Sequence, residues 1–426
     1  MKPQGRGRRR FLKQGAALAL LSQGAGGLAG WAVGAVRSAS GQTLGAGTSE
    51  ASSKDTRGYG ERARFENSVR TLVEPPFASM TPLQDSIGII TPSALHFAVI
   101  RFRNAPPDID PRQHRLLIHG LVDHPLIFTL EELKRLPSVS RIHFVECAGN
   151  SSPVEHRNAE TVQETHGWTS CSEWTGVPLS LLLREAGVQT GARWIIAESA
   201  DAGKHVKSIP LEKAMHDVLV AYGQNGEAVR PEVGYPLRLV TPGWEGVHNV
   251  KWLRRIKVVD QPSMDKVEST GYVVLRPNMK GKAVWFNSQL GPKSVITFPS
   301  GGQRLPGRGF YEITGLAWSG EGVVRRVEVS TDGGRSWKDA QLQEPVHRIA
   351  HTRFRLAWNW DGEEAVLQSR CTDEQGDVQP SIADISKQWG VNPDFFKTTK
   401  ARVNHWNAIQ PWRVTRDGSV HNAQFS

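Results

Sequence analysis

The chain has 426 residues, 38% hydrophobic and 22% charged, which is room for two or three domains of ordinary globular composition. Its formal charge of +10 invites a nucleic-acid reading, but residues 1–40 hold seven basic residues (Lys2, Arg6, Arg8, Arg9, Arg10, Lys13, Arg37) and no acidic one, leaving +3 for the rest. Nucleic-acid binding is therefore unsupported.

Arg8-Arg9-Arg10-Phe11-Leu12-Lys13 precedes an uncharged segment, Gln14 to Val36, interrupted by six glycines. So many glycines and small residues make a poor membrane anchor, and the segment reads as a twin-arginine signal; an amino-terminal membrane helix is the competing reading. Residues 1–40 are thus expected to send a folded, cofactor-loaded chain to the periplasm, with cleavage between Ala35 and Gly41 and no anchor in the mature chain. Residues 41–85, rich in Gly, Ser, Thr and charge, read as a linker or an arm lying along the body.

A strand is expected from Leu95 through Ile100 to Asn104, and a second from His114 to His119. Thr129-Leu130-Glu131-Glu132 has capping-box spacing, so a short helix follows and stops at Pro137. Val139, Ile142, Phe144 and Val145 then mark a buried strand, and Ala148-Gly149-Asn150 ends it. Cys147 is therefore presented at a strand end, where small neighbours let a cofactor approach; that suits a soft-metal ligand. On residue type alone, a cysteine beside a hydrophobic run is more often just a small buried hydrophobe.

Ser151 to Thr165 is polar and aperiodic, placed where a substrate or partner could touch it. A helix runs from Pro178 to Ala186 and closes at Gly187. Arg193–Glu198 reads as a strand, Pro210–Met215 as a short helix, and Asn225-Gly226 as a hairpin turn after Val218–Tyr222. Tyr235–Val240 and Val250–Val259 complete a mixed sheet, so the fold class is α+β. Residues 260–300, punctuated by Pro and Gly, read as a connection between domains at 86–265 and 285–420.

Short strands at Tyr311–Trp318, Val323–Ser330, Ser336–Leu342, Thr352–Trp358 and Ala365–Thr372 suggest an immunoglobulin-like β-sandwich, with Asn407–Trp412 as its final strand. Ser330 to Trp337 resembles an Asp-box, taken here as a tight-turn signature. Three cysteines, Cys147, Cys171 and Cys371, cannot all pair, which leaves at least one thiol for another purpose. No Cys-x-x-Cys-His occurs, so electrons must leave to another protein.

Glu146-Cys147-Ala148-Gly149-Asn150, Gly167-Trp168, Trp174-Thr175-Gly176-Val177-Pro178-Leu179 and Val250-Lys251-Trp252-Leu253 resemble, in order, the molybdenum-binding chain of the sulfite oxidase family. The similarity covers residues 86–415. Asp108-Ile109-Asp110-Pro111, His119-Gly120-Leu121-Val122, Cys171-Ser172-Glu173-Trp174 and Pro242-Gly243-Trp244-Glu245-Gly246 look most like its SoxC branch, the molybdenum subunits of sulfane dehydrogenase.

The resemblance implies a mixed-sheet molybdopterin-binding domain, a dimerisation sandwich and a molybdenum ion held by a pterin dithiolene, oxo groups and the Cys147 thiolate. It implies cofactor contacts from Asp201, Arg238, Asn249, Val250 and Lys251, and an active-site tyrosine at Tyr272. Arg101 or Arg103 becomes the arginine facing substrate and cofactor: family spacing to Asp110-Pro111 selects Arg101, local identity Arg103. Read without the resemblance, Arg238 would be an outward-facing strand residue, Lys251 a surface cation and Tyr272 a packing ring. One family histidine is replaced by Val233. Ser151 and Ser152 stand where animal sulfite oxidases carry arginines, which favours a less charged or tethered substrate. The expected activity is oxidation of sulfane sulfur on a carrier protein, with electrons passing to a c-type cytochrome from a homodimer. A sulfite dehydrogenase and a scaffold without cofactor are the rival readings.

Overall fold

A computed structural model describes residues 62–73, 78–100, 105–286, 289–400 and 403–425. The twin-arginine segment, Arg101 and Arg103 lie outside the described residues. The chain divides into two units, Met1–Ser68 and Val69–Ser426, and every strand and helix among the described residues lies in the second. No helix among the described residues is long and apolar enough to cross a membrane.

Thr71–Val73, Ala78–Met80 and Ala98–Val99 form a small antiparallel sheet, so the end of the arm is already folded. Met80 and Leu83 are buried, and the Thr81 hydroxyl meets the Ser170 hydroxyl at 2.6 Å.

Two sheets succeed it, where the sequence suggested a single one. The first has the order Glu227–Ala228, Leu219–Gln224, Thr169–Pro178, Val139–Glu146, with Arg238–Val240 also pairing to Leu219–Gln224. Val139–Glu146 pairs antiparallel with Thr169–Gly176 over eight residues without a register shift, which rigidly fixes the position of Cys147. Asn225 and Gly226 have φ of 51° and 77°, the left-handed pair that a two-residue hairpin needs. The second sheet runs Leu126–Phe128, Leu116–Gly120, Leu253–Val259, Trp194–Ser199, Val206–Pro210, with Leu253–Val259 parallel to Leu116–Gly120. Arg238–Val240 and Leu253–Val259 part because the chain between them turns through a 3₁₀ turn at Gly246–His248 and a positive φ at Trp252.

The helices at Leu130–Lys134 and Leu179–Ala186 arise from the expected signals, a Thr129/Glu132 capping box and a left-handed Gly187 with φ of 68°. Leu179, Leu182, Leu183 and Ala186 form the buried stripe of the second. Within the stretch expected to be aperiodic, Val162–His166 is a helix, capped by Thr161 and Glu164.

The carboxy-terminal sandwich packs Lys293–Phe298, Gly309–Trp318, Thr352–Trp360 and Gln341–Leu342 against Lys338–Asp339, Val324–Ser330, Ala365–Asp373, Trp412–Val414 and Val420–Asn422. Its first strand lies inside the region read as a connection, and its last is Val420–Asn422. Asn407 to Pro411 is not strand; Pro411 has no N–H for a ladder. A helix at Ile382–Trp389, capped by Ser381 and Asp384, was not expected. Asp332 serves its turn, accepting from the Ser330 hydroxyl at 2.7 Å and the Ser336 N–H at 2.9 Å. Phe144, Val162, Cys171 and Leu83 belong to the same buried cluster as Trp318, Phe354 and Trp412, so one core runs from the sandwich to the cysteine strand.

Candidate active site

A cleft enclosing about 780 Å³ of empty space, part of it open to solvent, forms a cavity where the two sheets meet. Its wall brings together seven of the nine residues singled out from sequence: Cys147, Asp201, Arg238, Asn249, Val250, Lys251 and Tyr272. They come from the ends of three strands, the Thr241–Trp252 connection and the segment beyond Val259, so the fold converges on one point.

Cys147 is fixed by its backbone: its N–H donates to the Trp168 carbonyl and its carbonyl accepts from the Asn150 N–H, both at 2.9 Å. The Asn150 side chain donates to Glu146 Oε1 at 2.9 Å and accepts the Trp168 N–H at 3.0 Å. Glu146, 1% exposed, pairs with Lys293 at 2.6 Å and accepts from Trp318 Nε1 at 2.7 Å. Opposite, a Cβ on Gly246 would stand 2.8 Å from the Glu146 carbonyl, so a glycine is needed there. Burial pushes the Cys147 thiol up to about 11, with Glu245, Glu155 and Glu146 adding to it and a bond to the Gly149 backbone opposing it. A metal binding there must displace the proton. Cys171 and Cys371 are buried in the core, and no cysteine is paired.

Arg238 and Lys251 are the cations of the cavity. Arg238 is 2% exposed rather than outward-facing; it donates to the carbonyls of Val233 at 2.8 Å and Asn249 at 3.2 Å, and its guanidinium lies 4.6 Å over Trp174. Lys251 donates to the carbonyls of Val99 at 2.9 Å and Glu232 at 3.1 Å. Burial lowers Arg238 to about 9; burial, then Arg238, lowers Lys251 to about 7. Among the described residues neither has a carboxylate partner within ion-pair distance. Two neighbouring basic groups, Arg238 buried and Lys251 partly buried, make a place for an anion, although Asp201 and Glu232 lie near enough to act on Lys251.

The remaining predicted residues hold the wall. Asp201 accepts the His205 N–H at 3.1 Å, and the Asn249 side chain accepts the Thr241 N–H at 2.9 Å. Val250 takes part through its backbone, accepting from the Leu239 N–H at 2.8 Å. Tyr272 has Lys207 Nζ 4.9 Å from its ring centroid, and Lys207 pairs with the buried Glu268 at 3.2 Å. Val233 is buried and lines the cavity, contributing its carbonyl to Arg238. Ser151 and Ser152 do not line it: both are buried, and the Ser151 hydroxyl donates to the carbonyls of Asn150 and Trp406. His96, His205 and Glu232 line the cavity without having been singled out. His96 stands in a stretch read for its apolar residues, where an isolated histidine gave no spacing signal.

Residues 103–267 match the family model of the oxidoreductase molybdopterin binding domain, and residues 286–399 that of the Mo-co oxidoreductase dimerisation domain. The crystal structure of the sulfane dehydrogenase SoxCD from Paracoccus pantotrophus is similar at a TM-score of 0.81 and 39% identity, covering 88% of this chain and 95% of that one. NADH nitrate reductase of Solanum lycopersicum is 32% identical over 353 residues, 73% of this chain and 38% of the reductase. An Arabidopsis thaliana nitrate reductase is 33% identical over 359 residues, 74% of this chain and 39% of the reductase. The chain thus spans well under half the length of these reductases.

Proposed function

Because this chain belongs to the sulfite oxidase family of molybdopterin-dependent oxidoreductases, with a SoxC-like structure, we propose that it oxidises sulfane sulfur carried on a cysteine of another protein. The single observation that carries the reading is the cavity holding the Cys147 thiol and two cations, Arg238 and Lys251, that have no ion-pair partner among the described residues. These residues fit a molybdopterin: a soft sulfur for the metal and the Arg238 and Lys251 cations for the anionic tail, all on one cavity wall.

When bound, that cofactor supplies the redox chemistry. The chain's own part is to hold and orient it. Cys147 gives up its proton to serve as metal ligand, and Arg238 and Lys251 bind the charged tail. Tyr272 would donate its phenolic hydrogen to an oxo group or to the substrate sulfur, and Arg101, with Arg103 the alternative, would bind the sulfur oxyanion as it is made. The family histidine missing at Val233 leaves that wall to a backbone carbonyl.

The finer reading places the enzyme in the periplasm after twin-arginine export, as a homodimer through its sandwich, passing electrons to a c-type cytochrome. The sulfane dehydrogenase named for the Paracoccus structure supports this choice of substrate. Steady-state assays with oxidised cytochrome c as acceptor test it. The reading expects turnover of a persulfide on a carrier-protein cysteine well above that of free sulfite, and strong turnover of sulfite alone contradicts it. Replacing Arg8 and Arg9 by Lys should keep the chain in the cytoplasm.

A further inference from the structure

His96 is a polar group of the cavity wall to which the proposed chemistry gives no role. Its ring is 2% exposed, stacked on Phe97 with centroids 5.1 Å apart, and edge-on to Trp174 at 5.8 Å. Nδ1 lies 2.7 Å from the Phe97 carbonyl. A carbonyl only accepts, so Nδ1 carries the proton and Nε2 of the neutral ring presents a lone pair. Burial, then Arg238 and Lys251, lower the ring to about 3, which keeps it neutral.

Nε2 is buried and meets no partner among the described residues, while the ring forms part of the cavity lining. A buried acceptor left bare in a native fold calls for a group that fills it. Trp174 sets His96 near Arg238, since that indole lies under the guanidinium and packs T-shaped with the histidine ring.

We propose that His96 Nε2 is a direct hydrogen-bonding contact of the bound pterin cofactor, accepting from an N–H or O–H of that group at the Arg238–Lys251 end of the cavity. The proposal rests on the cavity being a molybdopterin site. Two variants separate the ring nitrogens, because an asparagine amide overlays Nδ1 and a glutamine amide overlays Nε2. His96→Asn keeps the bond to Phe97 and loses the cavity contact; His96→Gln keeps a polar group in the cavity.

The test uses holoprotein purified with cofactor assembly and export intact. The rate of pterin release is followed by the fluorescence of the oxidised pterin, alongside molybdenum per chain and the denaturation midpoint. His96→Asn should release pterin about tenfold faster than the wild type, the loss expected for one desolvated hydrogen bond, and His96→Gln should stay close to it. The reverse order, equal rates in all three proteins, or equal losses that follow a lowered midpoint would overturn the proposal. A wild type free of molybdenum and pterin would overturn the cavity reading itself.

Discussion

Glu146 Oε1 and Lys293 Nζ lie 2.6 Å apart with side chains 1% and 0% exposed, so the first strand of the sandwich grips the residue before Cys147. The two parts of the chain are not merely joined; the second holds the Cys147 end of the first in place.

Lys293→Met should cost about 3–5 kcal/mol in denaturant unfolding of the apo-protein, because it strands a carboxylate in the core. Glu146→Gln combined with Lys293→Met should recover most of that. Burial pushes the Glu146 carboxyl up, but Lys293, His405 and Asn150 together outweigh it and hold the carboxyl below its ordinary value. In the wild type this contribution is present above the ordinary carboxylate range and lost as pH falls through the lower folded value. In Lys293→Met the carboxyl rises instead, so the deficit should be greatest at neutral pH and shrink in acid.

Lys251, lowered to about 7, should make anion binding pH-dependent. An anion favours the charged lysine, so the empty protein takes up a proton on binding. Affinity for inorganic phosphate, measured by titration calorimetry, should fall above pH 7 by up to about tenfold per unit relative to Lys251→Met. The ligand's own ionisation is common to both proteins. Arg238→Met should weaken phosphate binding by about tenfold or more at every pH.

Gly246→Ala should lower both the denaturation midpoint and the molybdenum content. Its Cβ would meet the Glu146 carbonyl at 2.8 Å and press on the cysteine loop, an overpacking worth about 1–3 kcal/mol.

Glu268 accepts from the Ser208 N–H at 2.7 Å and its hydroxyl at 2.6 Å while pairing with Lys207 under Tyr272. Glu268→Gln should therefore lower turnover more than it lowers cofactor content, because Tyr272 loses its backing. Equal losses in both would show that the segment only supports the fold.

The cavity was legible mainly through the family resemblance. Cys147 stood at the end of an apolar strand inside the family motif, whereas Arg238 and Asn249 to Lys251 were marked only by the family segments they match. The strand Thr169–Pro178 was not legible, because it buries both faces using Thr169, Ser170, Ser172 and Cys171, which show no alternation of apolar and polar residues. Lys207 and Lys293 were illegible for a related reason: each is a buried cation on a strand, explained by a glutamate 61 and 147 residues away in sequence, Glu268 and Glu146. Such pairings depend on tertiary contact alone. His96 was passed over because all that marks it is one ring nitrogen without a partner among the described residues, which no sequence pattern shows.

Whether the sulfur of residue 147 bonds molybdenum inside this cavity is decided by X-ray absorption at the molybdenum edge on the wild type and Cys147→Ser. A loaded wild type is expected, together with a variant whose metal has one sulfur neighbour fewer and whose turnover is abolished. An unchanged sulfur shell in the variant, or a wild type without molybdenum, would refute the assignment of Cys147 as the metal ligand.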